Sequence, residues 1–157
     1  MNQTLIIADL HLTIVERDKV DLFNKFCTDF AAQAEQLFIL GDLFHSWIGD
    51  DISLDNYRPI IDILKNLTKT TKVFIMLGNR DFLLASEFER KSGCQIIKEP
   101  FLLKHNNDNY LLMHGDSLCS DDSNYQRLKK FLRNPIVQYI FLHLPRKYRL
   151  KLTGGLR

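Results

Sequence analysis

The sequence predicts an α/β fold: parallel strands first, an antiparallel portion after them, and a basic helical segment at the end. Three observations predict it. Short apolar runs alternate with stretches of helical spacing as far as Ser92. Two later apolar runs flank Asn106-Asn107-Asp108-Asn109, a hairpin turn signal. Beyond Asp122 the pattern is helical throughout, and no acidic residue occurs.

The elements follow in order. Residues 4–8 read as a buried strand. Residues 20–34 place Leu22, Phe23, Phe26, Phe30 and Ala34 at helical spacing. A second strand is predicted at 36–40. The helix predicted at 59–67 sets Ile60, Ile61, Ile63, Leu64 and Leu67 on a broad apolar face, with Pro59 in its first turn. A third strand covers 72–77, and a helix at 82–92 is closed by Gly93. Shorter strands are expected at 95–97, 101–104 and 110–113, and helices at 123–133, 135–143 and 146–152.

Composition bounds the class. The chain has 157 residues, enough for one ordinary core. At 45% hydrophobic and 25% charged it is globular rather than disordered or fibrous. No apolar run approaches the ~20 residues of a membrane-spanning helix. Met1-Asn2-Gln3-Thr4 lacks the basic region of a signal peptide. Cys27, Cys94 and Cys119 have neither disulfide nor zinc spacing, which fits small core residues in a reducing cytoplasm. The net charge of +2 hides a split. Residues 1–122 carry 12 basic and 19 acidic side chains, a net of −7, while 123–157 carry nine basic and none acidic. Such a tail is expected to face something anionic.

Polar residues cluster after the predicted strands, the edge where open α/β sheets bind ligands. They are Asp9-Leu10-His11, Gly41-Asp42, Gly78-Asn79-Arg80-Asp81 and His114-Gly115-Asp116. Oxygen and nitrogen donors without thiolate suit Mn²⁺, Mg²⁺, Fe or Zn. Asp9 and His11, two apart, point the same way on an extended segment and can chelate one ion. Asp42 is placed to bridge two ions, with Asn79 and His114 serving the second. Two ions about 3.5–4 Å apart would clamp a phosphoryl group and activate water near neutral pH. Each motif alone is common in turns; the four in this order, each after a strand, are not.

These motifs resemble the calcineurin-like metallophosphoesterases, whose fold is a four-layer α/β/β/α sandwich around a dinuclear metal site. Within that family, Ile7-Ala8-Asp9-Leu10-His11-Leu12, Leu40-Gly41-Asp42-Leu43-Phe44, Trp47-Ile48-Gly49-Asp50-Asp51, Gly78-Asn79-Arg80-Asp81-Phe82-Leu83 and His114-Gly115-Asp116-Ser117-Leu118-Cys119 are similar to the branch that hydrolyses UDP-2,3-diacylglucosamine in lipid A synthesis. Most of the wider family has His where Arg80 stands. The resemblance implies attack of water on the α-phosphate, giving UMP and 2,3-diacylglucosamine 1-phosphate. It implies two Mn²⁺, or Mg²⁺ or another divalent ion: one held by Asp9, His11 and Asp42, the other by Asp42, Asn79 and His114. Arg80 would act on the phosphate, and Asn79, Arg80, Asp122 and Tyr125 would bind substrate.

Two departures stand out. The family pattern ends in a Gly-His-x-His motif, and no His-x-His occurs here; the histidines are His11, His45, His105, His114 and His143. Residues 1–122 are therefore expected to be the N-terminal part of a metallophosphoesterase domain whose remainder lies beyond this chain, leaving sheet edges and core exposed. The closing Gly154-Gly155-Leu156-Arg157 reads as an interruption. His45 stands where close relatives carry an acid, and is expected to be exposed or behind the ligands. His105 reads as exposed, and His143 as a packing or lipid-contact residue.

The tail, 123–157, mixes Leu128, Phe131, Leu132, Ile136, Val137, Tyr139, Ile140, Phe141 and Leu142 with its nine cations. The residues alone leave core packing, an anionic lipid surface and nucleic acid open. The resemblance implies a helical lid for acyl chains, on an enzyme peripheral to the cytoplasmic face of the inner membrane, with neither nucleic acid nor a protein partner. Arg149, Lys151 and Arg157 are expected to reach phosphate or membrane. Another phosphoesterase of nucleotides or nucleic acid, or a noncatalytic module of the same fold, are the rival readings.

Overall fold

The computed structural model of the protein describes residues 3–116 and 123–154, the side chains of 123–125 and 153 excepted. Strands β1 (Thr4–Ile7), β2 (Gln36–Leu40), β3 (Lys72–Met76) and β4 (Gln95–Ile97) form one parallel sheet in that order. Strands β5 (Phe101–His105) and β6 (Asp108–Leu112) form a separate antiparallel pair. Its two-residue loop puts Asn106 and Asn107 at φ 50° and 68°, the left-handed pair that a tight hairpin needs.

Strand order explains the layers. Right-handed crossovers that always step the same way leave every helix on one face. On that face α1 (Arg17–Asp29), α3 (Arg58–Leu67) and α4 (Ser86–Ser92) bring Phe23, Ile60, Leu64 and Phe88 against Leu37, Ile39, Val73 and Ile75. The alternate side chains, Phe38 and Met76, face Leu103 and Leu112 of the hairpin. The Phe38 ring stacks on Phe74 at 4.8 Å and tilts against Phe101 at 5.7 Å. The central strands are thus buried on both sides and read as continuous apolar runs. The hairpin's outward pair, Leu102 and Leu111, stays exposed.

Several boundaries differ from expectation for local reasons. Helix α1 starts at Arg17 and ends at Asp29, giving way to a 3-10 turn, Ala31–Gln33, with Phe30 exposed. A short helix, α2 (Asp50–Asn56), precedes α3; seven residues are too few for a periodic signal. Helix α4 begins only at Ser86, because residues 82–85 turn instead. Asp50 caps it from outside: its carboxylate accepts the amides of Ala85 at 3.2 Å and Phe88 at 2.9 Å, and the Trp47 indole N–H at 2.9 Å. Cys27 and Cys94 are buried core residues, and burial pushes both thiols up to about 12. Cys119 lies outside the described residues. His105 is half-buried rather than exposed, with Nδ1 3.3 Å from Thr4 Oγ1.

The basic helices are α5 (Ser123–Leu132), α6 (Pro135–His143) and α7 (Arg146–Gly154). Arg149, expected at a phosphate or membrane, is only 3% exposed and holds α7 to the body. Its guanidinium grips Asp51 through both carboxylate oxygens, with Nη1 to Oδ1 at 2.9 Å. Nη1 also donates to the Ile48 carbonyl at 2.9 Å, and Nε to Leu144 at 3.1 Å. Gly49, at φ 111°, makes room: a Cβ there would sit 2.7 Å from Arg149 Nη1 and 2.8 Å from Leu142 Cδ2. Arg146 donates to the Asp51 carbonyl at 2.7 Å. Part of the anionic surface that the tail faces is therefore the protein's own acidic body. Lys151 is exposed, and Arg157 lies outside the described residues.

This pair fixes a pH dependence. The Arg149 guanidinium beside Asp51 holds its carboxyl below the ordinary value of 3.8. A depressed carboxyl stabilises the fold fully above its unfolded value, and the contribution is lost as pH falls through the lower folded value. Asp51→Asn should therefore lower the melting temperature at neutral pH, and the gap from the unsubstituted chain should close below pH 3.8 in a calorimetric series.

Candidate metal centre

The loops after β1, β2 and β3 are laced together beyond the strands. Asp9 N donates to Gly41 O at 3.2 Å, His11 N to Asp42 O at 2.9 Å and Leu12 N to Leu43 O at 2.8 Å. The third loop joins through Trp47 N and Arg80 O at 2.9 Å. This lacing forces Asp9, His11 and Asp42 into left-handed backbone, at φ 55°, 47° and 52°. Each such non-glycine residue costs on the order of 1–3 kcal/mol, and clusters of them mark functional sites.

The strained loops converge. Asp9, Asp42 and His114 each offer a ligand atom, and these atoms lie within 4.8 Å of one another. Asp42 is buried; Oδ1 lies 4.0 Å from His114 Nε2, and Oδ2 3.9 Å from His11 Nδ1. Its carboxylate thus sits between two imidazoles. Two glycines clear the space. A Cβ on Gly41 would stand 2.5 Å from His114 Nδ1, and one on Gly78 would run into Asp42 Oδ1 and the Asp42 backbone N.

Protonation follows from the partners. His114 Nδ1 is 2.7 Å from the Leu40 carbonyl, which can only accept, so Nδ1 carries the proton. Nε2 faces carboxylates, with Asp116 Oδ1 at 3.3 Å and Asp42 Oδ1 at 4.0 Å. His11 Nδ1 is buried with no hydrogen-bond partner. Carboxylates gathered at one imidazole nitrogen, and a second imidazole nitrogen left orphaned, are what a divalent cation would satisfy. The donor set fits such ions.

The other predicted residues divide. Asn79 and Arg80 are exposed at the same edge, and the Arg80 amide donates to Asp42 Oδ1 at 2.9 Å. Tyr125 belongs to α5 by its backbone, and Asp122 lies outside the described residues. His45 is exposed, its amide on Leu12 O at 3.0 Å. His143 is exposed against the Tyr139 ring at 3.9 Å.

Two residues without an assigned role prove central. Asp81 is fully buried and braces the loops: Oδ1 accepts Gly78 N at 2.9 Å, and Oδ2 accepts Leu43 N at 2.8 Å. Burial pushes its carboxyl up to about 6, aided by the nearby Asp42 charge and opposed by these amides. Asp116 links His114 to the tail, with Oδ2 3.5 Å from Lys129 Nζ and 3.9 Å from Arg133 Nη2. Both residues stood inside quoted motifs; their spacing was the available signal.

Comparison with known proteins gives the setting. The family model of calcineurin-like phosphoesterases matches residues 3–151. Proteins named UDP-2,3-diacylglucosamine hydrolase are similar along nearly all of the chain. That of Pseudomonas syringae pv. tomato is 41% identical over 157 residues, covering 98% of this chain and 62% of the relative. That of Azotobacter vinelandii is 43% identical over 151 residues, covering 96% and 63%. That of Pseudomonas aeruginosa is 42% identical over 155 residues, covering 98% and 64%. The chain thus spans less than two thirds of the length of these relatives. A solved structure, the Pseudomonas putida nuclease MPE, aligns with a TM-score of 0.49 at 22% identity, covering 66% of this chain and 51% of that one.

Gly78→Ala tests the cradle. A methyl there has no space beside Asp42, so we expect a loss of about 1–3 kcal/mol in denaturant unfolding, the usual range for overpacking. Divalent-ion binding by calorimetry should fall with it.

Proposed function

Because the chain belongs to the calcineurin-like phosphoesterases, we propose that it carries the metal site of a hydrolase acting on UDP-2,3-diacylglucosamine. The products are UMP and 2,3-diacylglucosamine 1-phosphate. The convergence of Asp9, Asp42 and His114 at one strand edge, with Asn79 and Arg80 beside them, is the observation that carries this reading. The names of the relatives support the substrate. The reading concerns a protein of the relatives' full length, with any further ligands drawn from outside these 157 residues.

Asp9, His11 and Asp42 would hold one Mn²⁺, and Asp42, Asn79 and His114 the other. When bound, the pair supplies Lewis acidity to the phosphoryl oxygens and makes water a better nucleophile. The chain's own residues do the rest. Asp42 fixes the Arg80 backbone through its amide, 2.9 Å away. The Arg80 guanidinium offers a fork of donors to phosphate oxygens. The Leu40 carbonyl keeps the proton of His114 on Nδ1 and leaves Nε2 free to ligate.

The tail extends this reading to a lid. Phe131, Ile136, Tyr139 and Ile140 are exposed, as are Arg127, Lys130, Lys147 and Lys151. Apolar side chains set among cations suit acyl chains and an anionic membrane surface. No helix among the described residues is long and apolar enough to cross a membrane, so the attachment proposed is peripheral.

The test is UMP release from UDP-2,3-diacylglucosamine with added Mn²⁺ by the protein at its relatives' full length. Asp42→Ala should reduce it to the protein-free control, and Arg80→Ala by about 10²–10³-fold, as for loss of one transition-state donor. Undiminished turnover in Asp42→Ala would sink the metal assignment. Faster cleavage of soluble phosphodiesters than of the glycolipid would move the substrate to nucleotides.

A further inference from the structure

We propose that Arg133, a tail residue, is a positioning residue for the loop that carries Asn79 and Arg80; the proposal rests on the metal reading above. Arg133 occupies the joint between α5 and α6. Its amide donates to Lys129 O at 2.9 Å, and the next residue, Asn134, caps α6 by accepting Ile136 N at 2.9 Å. The backbone at the joint is therefore held from both sides. From it the guanidinium reaches the body, where Nη2 donates to the Gly78 carbonyl at 3.0 Å. The same nitrogen stands 3.9 Å from Asp116 Oδ2, whose partner oxygen Oδ1 is 3.3 Å from His114 Nε2.

Gly78 explains why such a contact matters. The position must lack a Cβ, because one would collide with Asp42. Lacking it, the backbone gains conformational freedom that the loop cannot use. Anchors remove that freedom. Gly78 N donates to Asp81 at 2.9 Å, and Arg80 N to Asp42 at 2.9 Å. The Gly78 carbonyl between them is held by Arg133 through a charge-assisted bond, stronger than a neutral one. The first two anchors belong to the acidic body, and the third comes from the tail. Asn79 sits between these anchors, so its backbone is held on both sides. The guanidinium Nε is buried without a hydrogen-bond partner, so the side chain is placed for its Nη contacts rather than for satisfying every donor. The tail is then part of the metal site and more than a cover for it.

The test compares Arg133→Ala and Arg133→Lys with the unsubstituted full chain. Amide hydrogen exchange is read at Arg80, whose N–H is bonded to Asp42, and at Phe38 and Ile75 in the sheet. Arg133→Ala should speed exchange at Arg80 by about 10-fold or more and leave Phe38 and Ile75 unchanged, as expected of local opening. Arg133→Lys, which keeps one charged donor, should restore most of the protection. Unchanged exchange at Arg80 overturns the proposal, and so does a uniform acceleration that includes Phe38 and Ile75. Titration with Mn²⁺ alone gives a second reading. Arg133→Ala should weaken binding by about 10–100-fold, as for loss of an outer partner of a metal ligand. Unaltered Mn²⁺ affinity also overturns it. A chain that binds no Mn²⁺ in any form counts against the metal reading instead, and the exchange at Arg80 then decides on Arg133 by itself.

Discussion

Asp42 has space for its carboxylate only because position 78 carries no side chain, and His114 can approach only because position 41 carries none. That steric allowance governs the candidate metal site. It lets a buried acid stand between His11 and His114, within 4.0 Å of each. It also lets the β3 loop close onto the β2 loop, so that the Arg80 amide reaches the acid. The left-handed backbone at Asp9, His11 and Asp42 is the cost of this closeness. The inter-loop amide bonds and the buried Asp81 hold the strain in place. Strain confined to the ends of hydrogen-bonded strands is how a fold keeps site residues preorganised without loosening its core.

The charge split of the sequence resolves into two sets of cations. Lys129, Arg133 and Arg149 turn inward, toward Asp116 and Asp51, while Arg146 pairs with Asp55 at the surface. Arg127, Lys130, Lys147 and Lys151 are exposed. The inward set explains why an acidic body and a basic tail belong to one chain. Where such a pair is mostly buried, as at Lys129 and Asp116, it contributes register more surely than net stability, because desolvation offsets much of the attraction. Arg149 fits that description: both Asp51 oxygens and two carbonyls meet its donors, and no other angle of α7 would satisfy them.

Much of the fold was legible because the physics was local. Strands β2 and β4 match expectation because apolar runs bounded by turn residues have few alternatives. The candidate ligands were legible because strand ends and glycine-acid pairs announce themselves in order. What stayed hidden depends on direction, which a one-dimensional pattern does not encode. Nine cations look alike in sequence, yet Arg149 is buried and Lys151 exposed. Asp50 caps a helix that begins 36 residues later in the chain, so no adjacent signal could mark where α4 starts. His105 is half-buried because its partner is Thr4, 101 residues earlier in the chain, a contact that no local pattern marks.

The orienting partner of His114 has an evolutionary corollary. The imidazole is aimed by the main-chain carbonyl of Leu40, not by a side chain. A carbonyl is supplied by every amino acid, so substitution at position 40 can alter packing but cannot delete the acceptor. The direction of this imidazole is thereby insulated from drift at its immediate neighbour. Changes that move the end of β2 itself would turn the ring, and that end is held by the buried Phe38 and Ile39 just before it.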